Sequence, residues 1–337
     1  MIDEIIEGDV REIISSLGKN PFEEKKVLVT GGAGFLGSWA CDVLVRLGAG
    51  VTCLDNLSTG KLENVDHLMG KNNLEFLNRD VTSFETQEKF DYVMHLASRA
   101  SPEEYQQHPV ETMLANSLGS LNVLELARRC DAIVLFASSS EVYGDAELVP
   151  TPEDYWGNVN PVGVRSCYDE GKRFGEALFT AYHREHGSDI KIARIFNTFG
   201  PRLRADGTYA RALSRFIVQA LANRDITVYG DGSQTRSFCY VSDTITALLL
   251  QMSCGEAEGE VINIGNPGEI RILELAQRIK ALTGNGSGIT FHPLPLDDPR
   301  RRCPNIKKAK KLLGWQPKVS LEEGLTKTIK WFEKSVH

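Results

Sequence analysis

The sequence predicts an α/β protein, a doubly wound parallel sheet with a smaller C-terminal lobe. Three observations predict it. From Lys26 to Ile195, short apolar runs of strand length alternate with segments of helical periodicity. A glycine-rich turn follows the first of those runs. Beyond Ile195 the alternation gives way to stretches richer in Gly, Pro and Arg. Strands alternating with helices imply right-handed crossovers and a parallel sheet covered on both faces.

Taken in order, residues 1–24 form an acidic prelude in which Ile5, Ile6, Ile13, Ile14 and Leu17 are spaced for one amphipathic helix. Strands are expected at Lys26–Thr30, Val51–Leu54, Leu74–Leu77, Tyr92–Leu96, Ala132–Ala137 and Ile190–Ile195. Helical segments fall between them, at Phe35–Leu47 and at Pro109–Arg129, where Leu114, Leu118, Leu121 and Leu124 keep helical register. Val261–Ile264 returns the chain to the sheet, and Ser320-Leu-Glu-Glu323 is a capping-box pattern opening a last helix to Phe332. The expected division is an N-terminal extension (1–24), a sheet domain (25–195 with 234–265) and a second lobe (196–233 with 266–337).

Composition narrows the function classes. The 337 residues suit a single large α/β unit or a two-lobed enzyme, and 42% hydrophobic with 25% charged residues exclude a disordered chain. Lys plus Arg number 38 against 45 Asp plus Glu, a net charge of −7 that argues against a nucleic-acid partner. The longest clean apolar run, Ala132–Ala137, is far too short for a membrane span, and the acidic N-terminus does not read as a secretory signal. Seven scattered cysteines without metal-ligand spacing point to reduced thiols, a cytoplasmic location and no metal site.

The first chemical signal is Thr30-Gly-Gly-Ala-Gly-Phe-Leu-Gly37 between a strand and a helix. Gly31, Gly34 and Gly37 permit a tight turn and let a pyrophosphate approach the helix N-terminus, whose free N–H groups favour an anion. Asp55 ends the second strand, where an acid accepts hydrogen bonds from ribose hydroxyls and repels a 2′-phosphate, favouring NAD over NADP. The second signal is Tyr168-Asp-Glu-Gly-Lys172, whose ends share a helix face. A nearby ammonium stabilises a phenolate, which can take a proton from a carbinol. Such a pair is common on helices; its place downstream of a dinucleotide turn gives it chemical meaning. The serines of Ala137-Ser-Ser-Ser-Glu-Val-Tyr-Gly144 follow a buried strand at its carboxyl end, where open α/β sheets bind ligands. Ser139 is placed to share a substrate hydrogen bond with Tyr168, or simply to cap the turn. Glu141 is a catalytic carboxylate or a surface acid.

From Lys26 onward the chain resembles the extended short-chain dehydrogenase/reductases acting on nucleotide sugars, a Rossmann-fold group. Within it the chain is most similar to the UDP-glucuronate decarboxylases (UDP-xylose synthases). The resemblance rests on the segments 153–161 and 165–173, on Arg194-Ile-Phe-Asn-Thr-Phe-Gly-Pro-Arg202, on Thr227-Val-Tyr-Gly-Asp-Gly-Ser-Gln-Thr-Arg236 and on Tyr240-Val-Ser-Asp243. It implies NAD contacts from Gly34, Phe35 and Leu36, then from Asp55, Asn56, Ser58, Thr59 and Gly60. Asp80 and Val81 would border the adenine, with Leu96, Ala97 and Ser98 along the cofactor. Tyr168 would be the base, Lys172 its partner and a ribose ligand, with Ser139 and Glu141 beside them. Asn197 would hold the diphosphate, Tyr229 would lie by the nucleoside, Arg236 would reach the diphosphate or the sugar, and Arg302 would be a second nucleotide-binding arginine.

The implied reaction oxidises C4 of UDP-glucuronate, loses CO2 from the carboxylate β to the new ketone, reprotonates C5 with Glu141 or Arg236 ordering the proton source, and re-reduces C4 to give UDP-xylose. Three departures bear on it. The family's Ser-Pro-Ala-Ser-Pro reads Ser98-Arg-Ala-Ser-Pro102, a usual lysine is Leu114, and the segment from Leu203 to Arg211 is about two residues longer. Arg99 either replaces the missing cation at the substrate carboxylate or faces pyrophosphate or solvent. A nucleotide-sugar 4-epimerase is the alternative enzyme. A 4,6-dehydratase is disfavoured by Ser140-Glu141 in place of an Asp-Glu pair, and a non-catalytic dinucleotide sensor has no use for Tyr168 with Lys172. A homodimer is expected through the helices at Pro109–Arg129 and Tyr168–His186, the latter offering Phe174, Leu178, Ala181 and Tyr182.

Overall fold

The computed structural model describes residues 3–205, 212–295 and 297–335. Seven parallel strands form the central sheet: β1 (Lys26–Thr30), β2 (Gly50–Asp55), β3 (Leu74–Asn78), β4 (Tyr92–His95), β5 (Ile133–Ser139), β6 (Ile190–Ile195) and a late strand, Val261–Ile264. Their spatial order is Val261–Ile264, β6, β5, β4, β1, β2, β3. The order reverses at β1, so the crevice beside its carboxyl end is the ligand-binding place of this architecture. Val27, Leu28, Val29, Val93, Met94, Val134, Leu135 and Phe136 are buried, because helices cover both faces and leave no side for alternating polar residues.

The helices are α1 (Glu4–Ser16), α2 (Phe35–Arg46), α3 (Pro102–Gln107), α4 (Pro109–Cys130) and α5 (Ser166–His186), then α6 (Ala212–Leu221), α7 (Val241–Ser253), α8 (Ile272–Thr283), α9 (Lys307–Leu313) and α10 (Leu321–Ser335). The sheet strands and helices α2, α4 and α5 stand within one or two residues of the sequence expectation, and α10 runs three residues beyond it. Ser320 caps α10 by accepting the Glu323 N–H at 3.2 Å. Helix α1 is pinned by its own buried Asp9, which accepts from Tyr240 Oη at 2.6 Å and Lys327 Nζ at 2.8 Å. All seven cysteines are free thiols.

The alternation does not forecast the small sheets after β6. Here β7 (Thr198–Phe199) pairs with Cys239–Tyr240, and Ile226–Tyr229 pairs with Ile289–His292. The strand Thr235–Ser237 lies between Glu269–Arg271 and the two-residue strand Arg301–Arg302. That last pairing sets Arg302 opposite Arg236, bringing together side chains 66 positions apart in the chain. Of the lengthened segment 203–211, residues 206–211 lie outside the described residues. Among the described residues no helix is long and apolar enough to cross a membrane.

Candidate active site

One cavity of about 860 Å³ opens at the carboxyl ends of β1, β2, β4 and β5 and runs on to the Arg236 and Arg302 strands. Its floor is the glycine turn. Gly31 has φ +70°, a left-handed conformation that disfavours a side chain, and a Cβ there would stand 2.9 Å from the Ala97 backbone. At Gly37 a Cβ would meet Gly31 O at 2.1 Å, so glycine alone lets α2 pack this closely on the turn. Gly34 is the N-cap of α2 and offers no side-chain cap, leaving Phe35 and Leu36 to present first-turn N–H groups into the cavity they line. An uncapped helix start, bare backbone and an acid at the next strand end fit a dinucleotide.

Asp55 accepts from Ala33 N at 3.0 Å and Leu57 N at 2.8 Å. Burial raises its pKa, opposed by N–H donors from Leu57, Ala33 and Gly34. Gly60 backs onto this carboxylate, where a Cβ would lie 2.7 Å from Oδ2; its glycine makes room for Asp55. Asn56, Ser58 and Thr59 follow around the cavity. Asp80 accepts from Asn56 at 2.6 Å and from the Thr82 hydroxyl at 2.6 Å. Burial pushes the Asp80 pKa upward, yet those bonds and the charge of Arg99 hold it below the ordinary value. Val81, Leu96, Ala97 and Ser98 complete this end of the lining.

At the other end, Tyr168 and Lys172 stand on α5 against the end of β5. The Lys172 ammonium donates to Ala137 O at 2.8 Å and sits 5.7 Å from the Tyr168 ring centre. Its complete burial pushes its pKa down to about 7, with Glu176 opposing. Ser139 Oγ accepts from Glu141 N at 3.3 Å, capping the turn Ser140–Tyr143 while lining the cavity.

Glu141 is not a surface acid. Arg302 grips it with both terminal nitrogens, Nη2 at 2.6 Å from Oε2, and Arg165 Nη2 binds the same Oε2 at 2.5 Å. Burial works against its charge, but Arg165 and Arg302 prevail and hold the pKa at about 2. Arg302, expected on the nucleotide, is thus committed to Glu141. Arg236 donates to Asp298 at 2.8 Å, Asn197 donates to Ser237 O at 3.3 Å, and Tyr229 lies under Arg215 at 4.6 Å; all three line the cavity. Leu114 is 43% exposed and also lines it.

Arg99, for which the sequence leaves two roles, donates its guanidinium to Glu104 at 2.9 Å and to Glu111 at 2.7 Å, so two carboxylates already meet its charge.

Sequence reasoning passed over four residues. Arg165 stands one helical turn before Tyr168, a spacing that was the available signal. Asp169 is buried, and burial together with Glu141 raises its pKa to about 7. Asp298 neutralises Arg236. Tyr105 stacks on Tyr168, ring centres 5.1 Å apart and planes at 11°, and its buried hydroxyl has no hydrogen-bond partner among the described residues. Nothing in the sequence singles out Tyr105.

The model of the NAD dependent epimerase/dehydratase family matches residues 27–265, spanning the glycine turn, Asp55, Tyr168 and Lys172. The chain belongs to that family. Its cofactor is NAD. UDP-glucuronic acid decarboxylase 1 of Danio rerio is 49% identical over 314 residues, 93% of this chain and 74% of the relative. UDP-glucuronic acid decarboxylase 3 of Arabidopsis thaliana is 50% identical over 301 residues, 89% and 86% of the two chains. Among solved structures, UDP-glucose 4-epimerase of Thermotoga maritima with UDP-glucose has a TM-score of 0.86 at 33% identity, covering 93% of this chain and 100% of that one. UDP-glucuronic acid 4-epimerase of Bacillus cereus, with UDP-glucuronic acid and NAD, has 0.84 at 29%, with the same coverage.

Proposed function

We propose that this protein is an NAD-dependent UDP-glucuronate decarboxylase, a carboxy-lyase forming UDP-xylose. The observation that carries the reading is Glu141, bound by Arg165 and Arg302 in the cavity that Tyr168 and Lys172 also line; the identity to decarboxylases supports it. When bound, NAD accepts hydride from C4 of the sugar and later returns it, without net redox change. The turn at Gly31, Gly34 and Gly37 holds the pyrophosphate, Asp55 the adenosine ribose, and Lys172 the nicotinamide ribose. Asn56, Ser58, Thr59, Asp80 and Val81 enclose the adenosine half. Tyr168 takes the C4 hydroxyl proton, with Ser139 sharing that hydrogen bond. Glu141, anionic at neutral pH, accepts hydrogen bonds and orients water toward C5. Arg236, Asn197 and Tyr229 bind the nucleotide sugar. Residues 25–195 with 234–265 thereby supply the cofactor cleft and the reacting side chains, with Arg236 reaching the sugar nucleotide from the same unit, and 196–233 with 266–337 supply the rest of the sugar-nucleotide site.

The 4-epimerase reading keeps one specific observation, the apolar Leu114 on the cavity wall, because an epimerase needs no carboxylate ligand. Incubation with UDP-glucuronate and UDP-glucose, with products resolved by mass, separates the two. Loss of about 44 Da from the acid, the mass of the CO2 released by the proposed reaction, supports decarboxylation. An unchanged mass with a new isomer overturns it.

The same reading includes a cytoplasmic homodimer. Val110, Met113, Leu114, Leu118 and Leu121 of α4 and Phe174 of α5 are exposed together on a monomer, an apolar area suited to a second copy. Leu124, in the same leucine series, is buried against the sheet. Sedimentation at micromolar concentration is expected to give the dimer mass, and a monomer rejects the pairing.

A further inference from the structure

One set of charged side chains crosses the cavity instead of lining a single wall. Thr59 lies in the loop after β2, Glu104 on α3 after β4, and Arg204 in the segment after β7. In the sheet β1 separates β2 from β4, so a link from the loop after β2 to the helix after β4 passes over the glycine turn that follows β1. Arg204 makes that link. Its Nη1 donates to Thr59 O at 3.3 Å and stands 3.2 Å from Glu104 Oε1. The other oxygen of Glu104 accepts from Arg99 at 2.9 Å, and Arg99 reaches on to Glu111 at 2.7 Å. All five residues border the cavity.

We propose that Arg204 and Glu104 form an ion-paired strap over the bound dinucleotide that slows its release. Arg204 and Arg99 balance Glu104 and Glu111, so this rim does not repel the pyrophosphate beneath it. A departing cofactor must separate Arg204 from both Glu104 and Thr59. Arg99 then has a place in the chemistry as the anchor of Glu104. The inference goes beyond the decarboxylase reading and needs only NAD in the glycine turn, so a failed strap and a failed sugar assignment remain distinguishable.

The test measures release of radiolabelled NAD+ from the full chain, chased with unlabelled NAD+ and without substrate. Glu104→Gln is expected to speed release about threefold or more, the scale of a part-exposed ion pair within a network. Coulomb forces alone predict the opposite sign, because removing a negative charge near an anionic ligand retains it longer. Glu111→Gln removes a charge from the same rim with the strap intact and is expected to leave the rate nearly unchanged. Raising the salt should speed release from the wild type and have little effect on Glu104→Gln, since exposed pairs are screened. Release from Glu104→Gln at or below the wild-type rate, or equal salt acceleration of both proteins, overturns the proposal.

Discussion

The two ends of the cavity are built from different materials. At the glycine-turn end, where the proposed function puts the cofactor, the groups on offer are backbone, with Gly31, Gly34 and Gly37 bringing N–H groups and a helix start within reach of an anion, and Asp55 supplying one fixed charge. At the other end, where that reading puts the sugar, they are charged side chains from remote segments, already paired with one another: Glu141 with Arg165 and Arg302, and Arg236 with Asp298. Backbone recognition is local in sequence and fixed by steric exclusion. Side-chain recognition is assembled by the fold and adjustable by single charges. Substitutions at the two ends should therefore fail in different ways.

The largest effect is expected between them, at Tyr168. Tyr168→Phe removes the proton acceptor and leaves the ring stacked on Tyr105, so turnover should fall by about a thousandfold or more. Bound NAD, read from absorbance of the purified protein, should stay at the wild-type level. Turnover within tenfold of wild type would remove Tyr168 from its assigned role.

Next is Glu141→Gln, which leaves two buried guanidinium groups without their carboxylate. Loss of one partner of a buried pair costs about 3–5 kcal/mol, and activity should fall about a hundredfold. The pH dependence has a definite sign. The folded pKa of Glu141, about 2, lies below its ordinary value of 4.5. Its stabilisation is therefore fully present above pH 4.5 and is lost as the pH falls toward 2. Acid unfolding monitored by circular dichroism should be steeper in the wild type than in Glu141→Gln across that window. Equal slopes would mean that Glu141 is not held by the arginines in solution.

The same contrast explains what the sequence discloses. β1, the glycine turn, α2 and Asp55 are contiguous, and each follows from a local rule, so this end of the cavity and the succession of sheet strands can be read directly. Tyr168 and Lys172 are legible because helical spacing links them. The bond of Arg302 to Glu141 spans 161 positions and depends on the strand Arg301–Arg302 lying beside Thr235–Ser237, a pairing of two-residue length that no periodicity announces. Glu104 and Arg204 are individually ordinary charges, and only the fold shows them meeting.

A smaller effect tests the backbone end. Asp55 is fixed by two N–H groups and keeps further acceptor capacity for a ribose diol, whereas a 2′-phosphate would meet its charge. Affinity measured by calorimetry should favour NAD over NADP by about tenfold or more, equal to roughly 1.4 kcal/mol. Equal binding of the two would remove Asp55 from that role.

The smallest effect is expected at Arg99, and it sharpens the line between the ends. Were Arg99 a ligand of the substrate carboxylate, Arg99→Ala would weaken UDP-glucuronate by about 1.5 kcal/mol and spare UDP, because only the acid carries that carboxylate. The structure instead gives both terminal nitrogens of the guanidinium to Glu104 and Glu111, with 11% of the side chain exposed. Binding a substrate carboxylate there would require breaking one of those pairs, so little net gain remains. Arg99→Ala should therefore change the affinities for UDP-glucuronate and UDP alike, within about twofold of each other, a difference under roughly 0.4 kcal/mol. Calorimetry on the NAD-saturated protein reads both. A selective loss for the acid would move Arg99 to the sugar end and leave Leu114 compensated after all.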